Sequence, residues 1–326
     1  MAIAIPSSGR ALLGRLRTQA LAPLLALLAL AVISALISPY FLQVQNLLNI
    51  LRQVSYAGII ALGMTFVIIG GGIDLSVGSM MALVGAMAIG VLNAAGGDRG
   101  GGPGAIALAA AAAVLFGLVL GSANGIAITK GGIAPFIVTL GTMAIFRSLT
   151  LWYRDAGEAR STSELYGGLG MSTALGIPTP VWVWLVLAVL LNVLLNNTRY
   201  GRHVCAVGSN EKVAQYAAIR IDRVRFVTYA IVGLMVGVSA VLLSARLNSI
   251  SSTNFGVNLE LDAIAAVIIG GTPMTGGRGS IWGTVMGAII LGIINNMLNM
   301  AQVSPYLQGT VKGLVIIAAV FIQRKL

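Results

Sequence analysis

The chain has 326 residues, 57% of them hydrophobic and only 9% charged, with 42 glycines and a mean hydropathy of +0.94. Soluble domains carry about 25% charged residues, so a water-facing fold is excluded and lipid is the expected solvent. A net charge of +11 is the footprint of many nucleic-acid binders, but here the basic residues fall in short gaps between apolar runs, with no stripe interleaved with aromatics, which excludes a nucleic-acid partner.

A bilayer interior cannot hydrogen-bond free backbone groups, so each apolar run of about 20 residues must be a helix. The predicted fold is all-α, one transmembrane domain over 1–326 with ten spans. Arg10, Arg15 and Arg17 precede an apolar run from Ala20 to Ile37, too long for a secretory signal and read as a retained first span, with 1–19 in the cytoplasm. Tyr40 to Val54 mixes Phe41, Leu47, Leu48, Ile50 and Leu51 with Gln43, Gln45, Asn46, Asn49 and Arg52, the pattern of an amphipathic interfacial segment. Besides 20–38, clear spans are expected near 104–122, 133–153, 180–196, 225–246, 280–300 and 309–322, and shorter or interrupted ones near 56–71, 75–93 and 257–271.

Ten spans from a cytoplasmic N-terminus put Lys130, the stretch 197–224, Arg278 and the C-terminal Arg324 and Lys325 inside. The outer loops then hold Arg52, Arg99, Arg154 and Arg160, diluted by Asp98, Asp155, Glu158 and Glu164, the asymmetry that orientation by Lys and Arg requires. The outer loop from Arg154 to Pro178, rich in Gly, Ser and Thr, reads either as a solvated connector or as a contact for an external partner.

The run Gly70-Gly71-Gly72-Ile73-Asp74-Leu75-Ser76 stops one helix and starts another, with Asp74 expected to N-cap the second. A comparable break, Gly270-Gly271-Thr272-Pro273, recurs later, and both follow Val-Ile-Ile-Gly-Gly, at Val67 and Val267. Unwound backbone at membrane depth is tolerated only against protein or water, so Gly71, Gly72, Asp74, Gly270 and Gly271 are candidate gate residues. Close helix packing through small residues is the competing reading. Glu260 and Asp262, placed at an outer helix end, are open to capping or to an outer gate or docking role.

No carboxylate is expected at mid-helix, as a proton or sodium symporter would need, so the energy comes from elsewhere. The chain lacks the Gly-x-x-x-x-Gly-Lys-Ser/Thr phosphate loop of a motor, a His-Glu-x-x-His metal motif and a Gly-x-Ser-x-Gly nucleophile turn, and Cys205 is its one cysteine, so no catalytic, cofactor or metal site is expected. In the largest inner loop, Ser209 or Asn210 can cap a short helix from Glu211 to Ala218, with Gly208 allowing the tight entry into it. Such a helix needs a partner surface to be stable.

Thr-Arg-Tyr-Gly-Arg at 198–202 followed by Ala-Val-Gly-Ser-Asn-Glu at 206–211 resembles the cytoplasmic loop of ABC-importer permeases of the ribose/xylose/galactoside branch. The likeness extends through Asn46-Leu47-Leu48-Asn49-Ile50-Leu51, Gly63-Met64-Thr65, 71–79, 178–182, 260–267 and 269–272. Ten spans from a cytoplasmic N-terminus put the C-terminus in the cytoplasm as well, and the resemblance implies an inner-membrane subunit. It implies a second permease subunit, identical or not, a cytoplasmic ATP-binding subunit that receives Gly208, Asn210 and Glu211, and an external sugar-binding protein. The expected function is monosaccharide or polyol import by alternating access; the alternative is a self-sufficient carrier or channel for a small polar solute.

Overall fold

The computed structural model describes residues 24–97 and 101–325; the basic segment 1–19, Asp98 and Arg99 lie outside the described residues. The helices are α1 (Leu24–Ile37), α2 (Val44–Ile69), α3 (Val77–Gly96), α4 (Pro103–Thr129), α5 (Pro135–Tyr153), α6 (Glu164–Met171), α7 (Thr179–Asn197), α8 (Arg199–Ser209), α9 (Glu211–Tyr216), α10 (Ile221–Leu247), α11 (Leu259–Ile269), α12 (Ile281–Met300) and α13 (Pro305–Lys325). Strand β1 (Glu158–Arg160) pairs antiparallel with β4 (Ser249–Ser251), and β2 (Thr173–Ala174) with β3 (Ile177–Pro178).

Among the described residues, seven helices, α2, α3, α4, α5, α7, α10 and α12, are long and apolar enough to cross a membrane. The chain is a polytopic all-α membrane protein. The expected span at 257–271 is the 11-residue α11, about 16 Å at 1.5 Å per residue and too short for a hydrocarbon core of about 30 Å.

The interfacial segment expected at 40–54 is instead continuous with the span that follows it, in the 26 residues of α2. Its polar residues have partners inside the bundle. Asn46 and Asn296 of α12 exchange amide hydrogen bonds of 2.9 and 3.2 Å, while Ile50 and Val54 are buried and Val54 fills the space left by Gly292. Arg52 accordingly lies within α2 and not in an outer loop.

Helices α2, α3, α10 and α12 form the buried interior, and α4, α5 and α7 line its flank. The most extensive helix contact is between α4 and α10. A β-carbon on Gly117 or Gly121 would strike the backbone of Gly233, and one on Gly233 would strike Gly117 and Gly121 in turn. Residues spaced by four thus let the backbones touch, as membrane helices do where no hydrophobic drive exists between them. The opposite face of α4 presents exposed Leu108, Leu115, Val119 and Ile126, suited to lipid.

One end of the bundle, the hairpin end, carries β1, β4 and α6. The loop from 154 to 178 is largely exposed but anchored to the bundle: the Tyr166 hydroxyl meets Ser244 Oγ at 2.6 Å on α10, and Gly170 abuts the Arg246 backbone. The opposite end carries both glycine breaks with α8 and α9. Between the two ends, residues 252–258 descend along α3. Arg147 of α5 holds them by donating to the carbonyls of Ser252 and Phe255 at 2.9 and 3.0 Å, and Gly256 packs on Gly78 without room for a β-carbon on either.

Candidate functional site

The two breaks close their helices with one hydrogen-bond pattern. Gly70, Gly71 and Gly72 donate to the carbonyls of Phe66, Ile68 and Val67; Gly270, Gly271 and Thr272 donate to those of Ala266, Ile268 and Val267. In each, the second glycine takes a left-handed conformation, φ +78° at Gly71 and +91° at Gly271, which a side chain disfavours. The repeated Val-Ile-Ile-Gly-Gly therefore encodes the same helix stop twice.

The stops meet. Gly277 donates its N–H to the Ile69 carbonyl at 2.8 Å, so the last residue of α2 is stitched to the segment beyond α11. Gly208 of α8 lies against this stitch: a β-carbon there would strike the Ile69 carbonyl oxygen and come within 2.7 Å of the Gly277 nitrogen. The Ser209 hydroxyl reaches the Gly277 carbonyl at 3.4 Å. Gly208, expected to allow a tight helix entry and to belong to the loop that meets the ATP-binding subunit, is the residue through which that loop touches both breaks.

The stretch 197–224, expected as a loop with one short helix, contains two helices. In α8, Gly201, Val204 and Val207 are buried while Arg199, Arg202 and His203 face outward. The Thr198 hydroxyl caps it by accepting the Gly201 N–H at 3.2 Å, and the Tyr200 ring stacks on Phe66 of α2 with centroids 6.2 Å apart. Cys205 is half-buried on α8, and burial pushes its thiol pKa up, away from reactivity.

Asn210 caps α9, accepting the Val213 N–H at 3.1 Å. Helix α9 ends two residues earlier than expected because Ala218 turns left-handed at φ +57°. The Glu211 carboxylate is held by Arg225 at the start of α10 through two bonds of 3.0 and 2.6 Å. The outward surface of α9 is mixed: Val213 is 61% exposed and Tyr216 89%, beside exposed Lys212 and Gln215.

Asp74 does not N-cap α3. The cap position is Ser76, and Asp74 sits two residues earlier, where its Oδ1 accepts both the N–H and the hydroxyl of Ser76 at 2.9 and 2.6 Å. Asn124 of α4 donates to the Ser76 hydroxyl oxygen at 2.9 Å, and the Tyr229 hydroxyl of α10 donates to the Ile73 carbonyl at 3.1 Å. The unwound segment Gly70–Ser76 is thus held by side chains from α4 and α10, and Tyr229 satisfies a backbone carbonyl that lipid cannot.

Glu260 and Asp262 stand in the first turn of α11, but not at the outer end expected for them. The Glu260 carboxylate packs against Gly78, near the start of α3. Asn93, which binds the Arg160 carbonyl at the hairpin end, lies about 22 Å further along α3 at 1.5 Å per residue. The descent of 252–258 carries α11 to this depth. Asp262 is paired with Lys312 of α13, its two oxygens 3.0 and 3.1 Å from Nζ.

Comparison with known proteins agrees with this architecture. The chain is 45% identical to the ribose import permease protein RbsC of Bacillus subtilis (strain 168) over 94% of this chain and 93% of that one. It is 39% identical to RbsC of Escherichia coli (strain K12), over 93% and 92% of the two chains. It is 39% identical to the D-allose transport system permease protein AlsC of the same organism, over 90% and 88%. Residues 46–320 match the family described as branched-chain amino acid transport system / permease component, and the chain belongs to that family.

Proposed function

We propose that the chain is the permease half of an ATP-driven importer that passes ribose or a related monosaccharide or polyol across the inner membrane by alternating access. The carrying observation is the junction of Gly208, Ile69 and Gly277. A push on α9 from a cytoplasmic ATP-binding subunit is delivered, through α8, to the ends of α2 and α11 together. The relatives' names, ribose and D-allose import, support a sugar over an amino acid. The end bearing the breaks also carries Lys130, Arg199, Arg202, Lys212, Arg220, Arg223, Arg225 and Arg278, which supports a cytoplasmic orientation for it. A second permease copy and an external binding protein complete the assembly in this reading.

The test is uptake of labelled D-ribose into proteoliposomes containing the chain with its ATP-binding and sugar-binding partners. ATP-dependent accumulation that disappears when the ATP-binding subunit is omitted is the expected result. Accumulation by the chain alone would overturn the reading in favour of a self-sufficient carrier.

A further inference from the structure

A cavity of about 420 Å³ lies between α8, the turn at 217–219 and the start of α10, within the range of small-molecule sites. Tyr200 and His203 line it from α8, and Arg220, Arg223, Val224 and Val227 from α10 and the residue just before it. Those last four are spaced i, i+3, i+4 and i+7, so they share one helix face. Along that face two guanidiniums at the end of the bundle give way to two valines deeper in, Val224 buried and Val227 exposed. Seven residues at 1.5 Å each make about 10 Å, more than the headgroup layer of about 5–8 Å on each side of a bilayer. The face therefore begins among headgroups and ends against acyl chains.

The charge in this cavity is unspent. Among the described residues, neither Arg220 nor Arg223 makes an ion pair or a side-chain hydrogen bond, and both are exposed. The acids close in sequence do not neutralise them. Glu211 is held by Arg225, and Asp222 pairs with neither arginine and does not line the cavity. The wall is fixed in place, because the Tyr200 hydroxyl donates to the Val224 carbonyl at 3.4 Å and its ring stacks on Phe66. A guanidinium fork matches the oxygens of a phosphate, and the His203 imidazole offers a further N–H. Basic pockets between helices at the cytoplasmic face suit anionic headgroups.

We propose that this cavity seats the phosphate of an anionic phospholipid, whose chains descend past Val227. The inner leaflet is assigned from the orientation in the importer reading; the binding chemistry does not depend on it. A soluble phosphate would use the guanidiniums but gain nothing from the valines. A lipid held here braces the turn between α9 and α10, the joint on which a push on α9 bears.

The purified full-length chain in neutral detergent is titrated with phosphatidylglycerol and, separately, with phosphatidylcholine of the same acyl chains, and bound lipid is counted by native mass spectrometry. Expected is one phosphatidylglycerol retained in preference to phosphatidylcholine. Its affinity should fall about tenfold in Arg220→Gln/Arg223→Gln and stay unchanged in Arg199→Gln/Arg202→Gln, which removes the same charge from the outward face of α8. Equal loss in both variants, or no loss in the first, overturns the site. Displacement of the lipid by excess glycerol 3-phosphate would make the occupant a soluble phosphate and overturn the lipid assignment. Loss of co-purification with the ATP-binding subunit in Arg220→Gln/Arg223→Gln, with phosphatidylglycerol binding intact, would give the arginines to that subunit instead. Should the double variant fail to fold, the single variants Arg220→Gln and Arg223→Gln, each expected to lose about threefold, decide the point. The titration needs neither partner nor transport, so its failure is distinguished from failure of the importer reading, which the uptake assay reports.

Discussion

Gly277 donates its backbone N–H to the carbonyl of Ile69 at 2.8 Å, joining two helix stops that lie far apart in the chain. Backbone-to-backbone contact transmits displacement without depending on side-chain rotamers, and Gly208 rests on it. Replacing Gly208 by Ala places a methyl group against the Ile69 carbonyl, an overpacking that costs on the order of 1–3 kcal/mol. Expected is a complex that still assembles but loses most sugar uptake, with ATP hydrolysis no longer stimulated by the loaded binding protein. Stimulated hydrolysis at the wild-type level would show that Gly208 does not transmit the push.

Gly71 and Gly271 have open space where a side chain would go and are constrained only by their positive φ. The cost of Ala at either is the left-handed penalty of roughly 1–2 kcal/mol, and Asn, which tolerates that region, should cost less. Gly72 differs, because a β-carbon there would fall 2.7 Å from the Tyr229 hydroxyl that anchors Ile73. The expected order of thermal stability in detergent is wild type, then Gly71→Asn, then Gly71→Ala, with Gly72→Val lowest. Equal melting of Gly71→Asn and Gly71→Ala would remove backbone conformation as the reason for glycine.

Much of this was legible in the sequence because the bilayer leaves few options: apolar runs of span length had to be helices, and Gly-Gly after Val-Ile-Ile had to stop them. What was not legible depended on partners distant in sequence. Asn46 and Arg52 read as interfacial because nothing local announces that Asn296 completes Asn46. Glu260 and Asp262 read as an outer end because hydropathy cannot report that Arg147 and the Gly78–Gly256 contact draw residues 252–258 inward. Helix α8 did carry a signal, apolar Val204 and Val207 beneath exposed Arg202 and His203, but its charge made it look like loop.

Asp74 is fully buried and uses one oxygen, Oδ1, for its bonds to Ser76, while Oδ2 has no hydrogen-bond partner among the described residues. Asp74→Asn can keep the acceptor in place and should fold and support uptake within a few-fold of wild type. Asp74→Ala strands the Ser76 N–H and hydroxyl in the interior, at about 1–3 kcal/mol for each unsatisfied group. A lower melting temperature and reduced membrane yield for Asp74→Ala, with Asp74→Asn near wild type, is the expected pattern. Loss of uptake by a well-folded Asp74→Asn would mean that the charge itself is needed.

Helix α9 separates two roles that its sequence left fused. Glu211 is occupied by Arg225 in a half-exposed ion pair, worth no more than about 1 kcal/mol, so Glu211→Gln should loosen α9 on α10 only slightly. Val213 and Tyr216 contact little of their own chain, so Val213→Ser/Tyr216→Ala should leave the isolated permease as stable as wild type. If Val213 and Tyr216 are what the ATP-binding subunit grips, that double variant fails to co-purify with the subunit while Glu211→Gln still does. The reverse outcome, retention by the double variant and loss by Glu211→Gln, would return the docking role to the carboxylate.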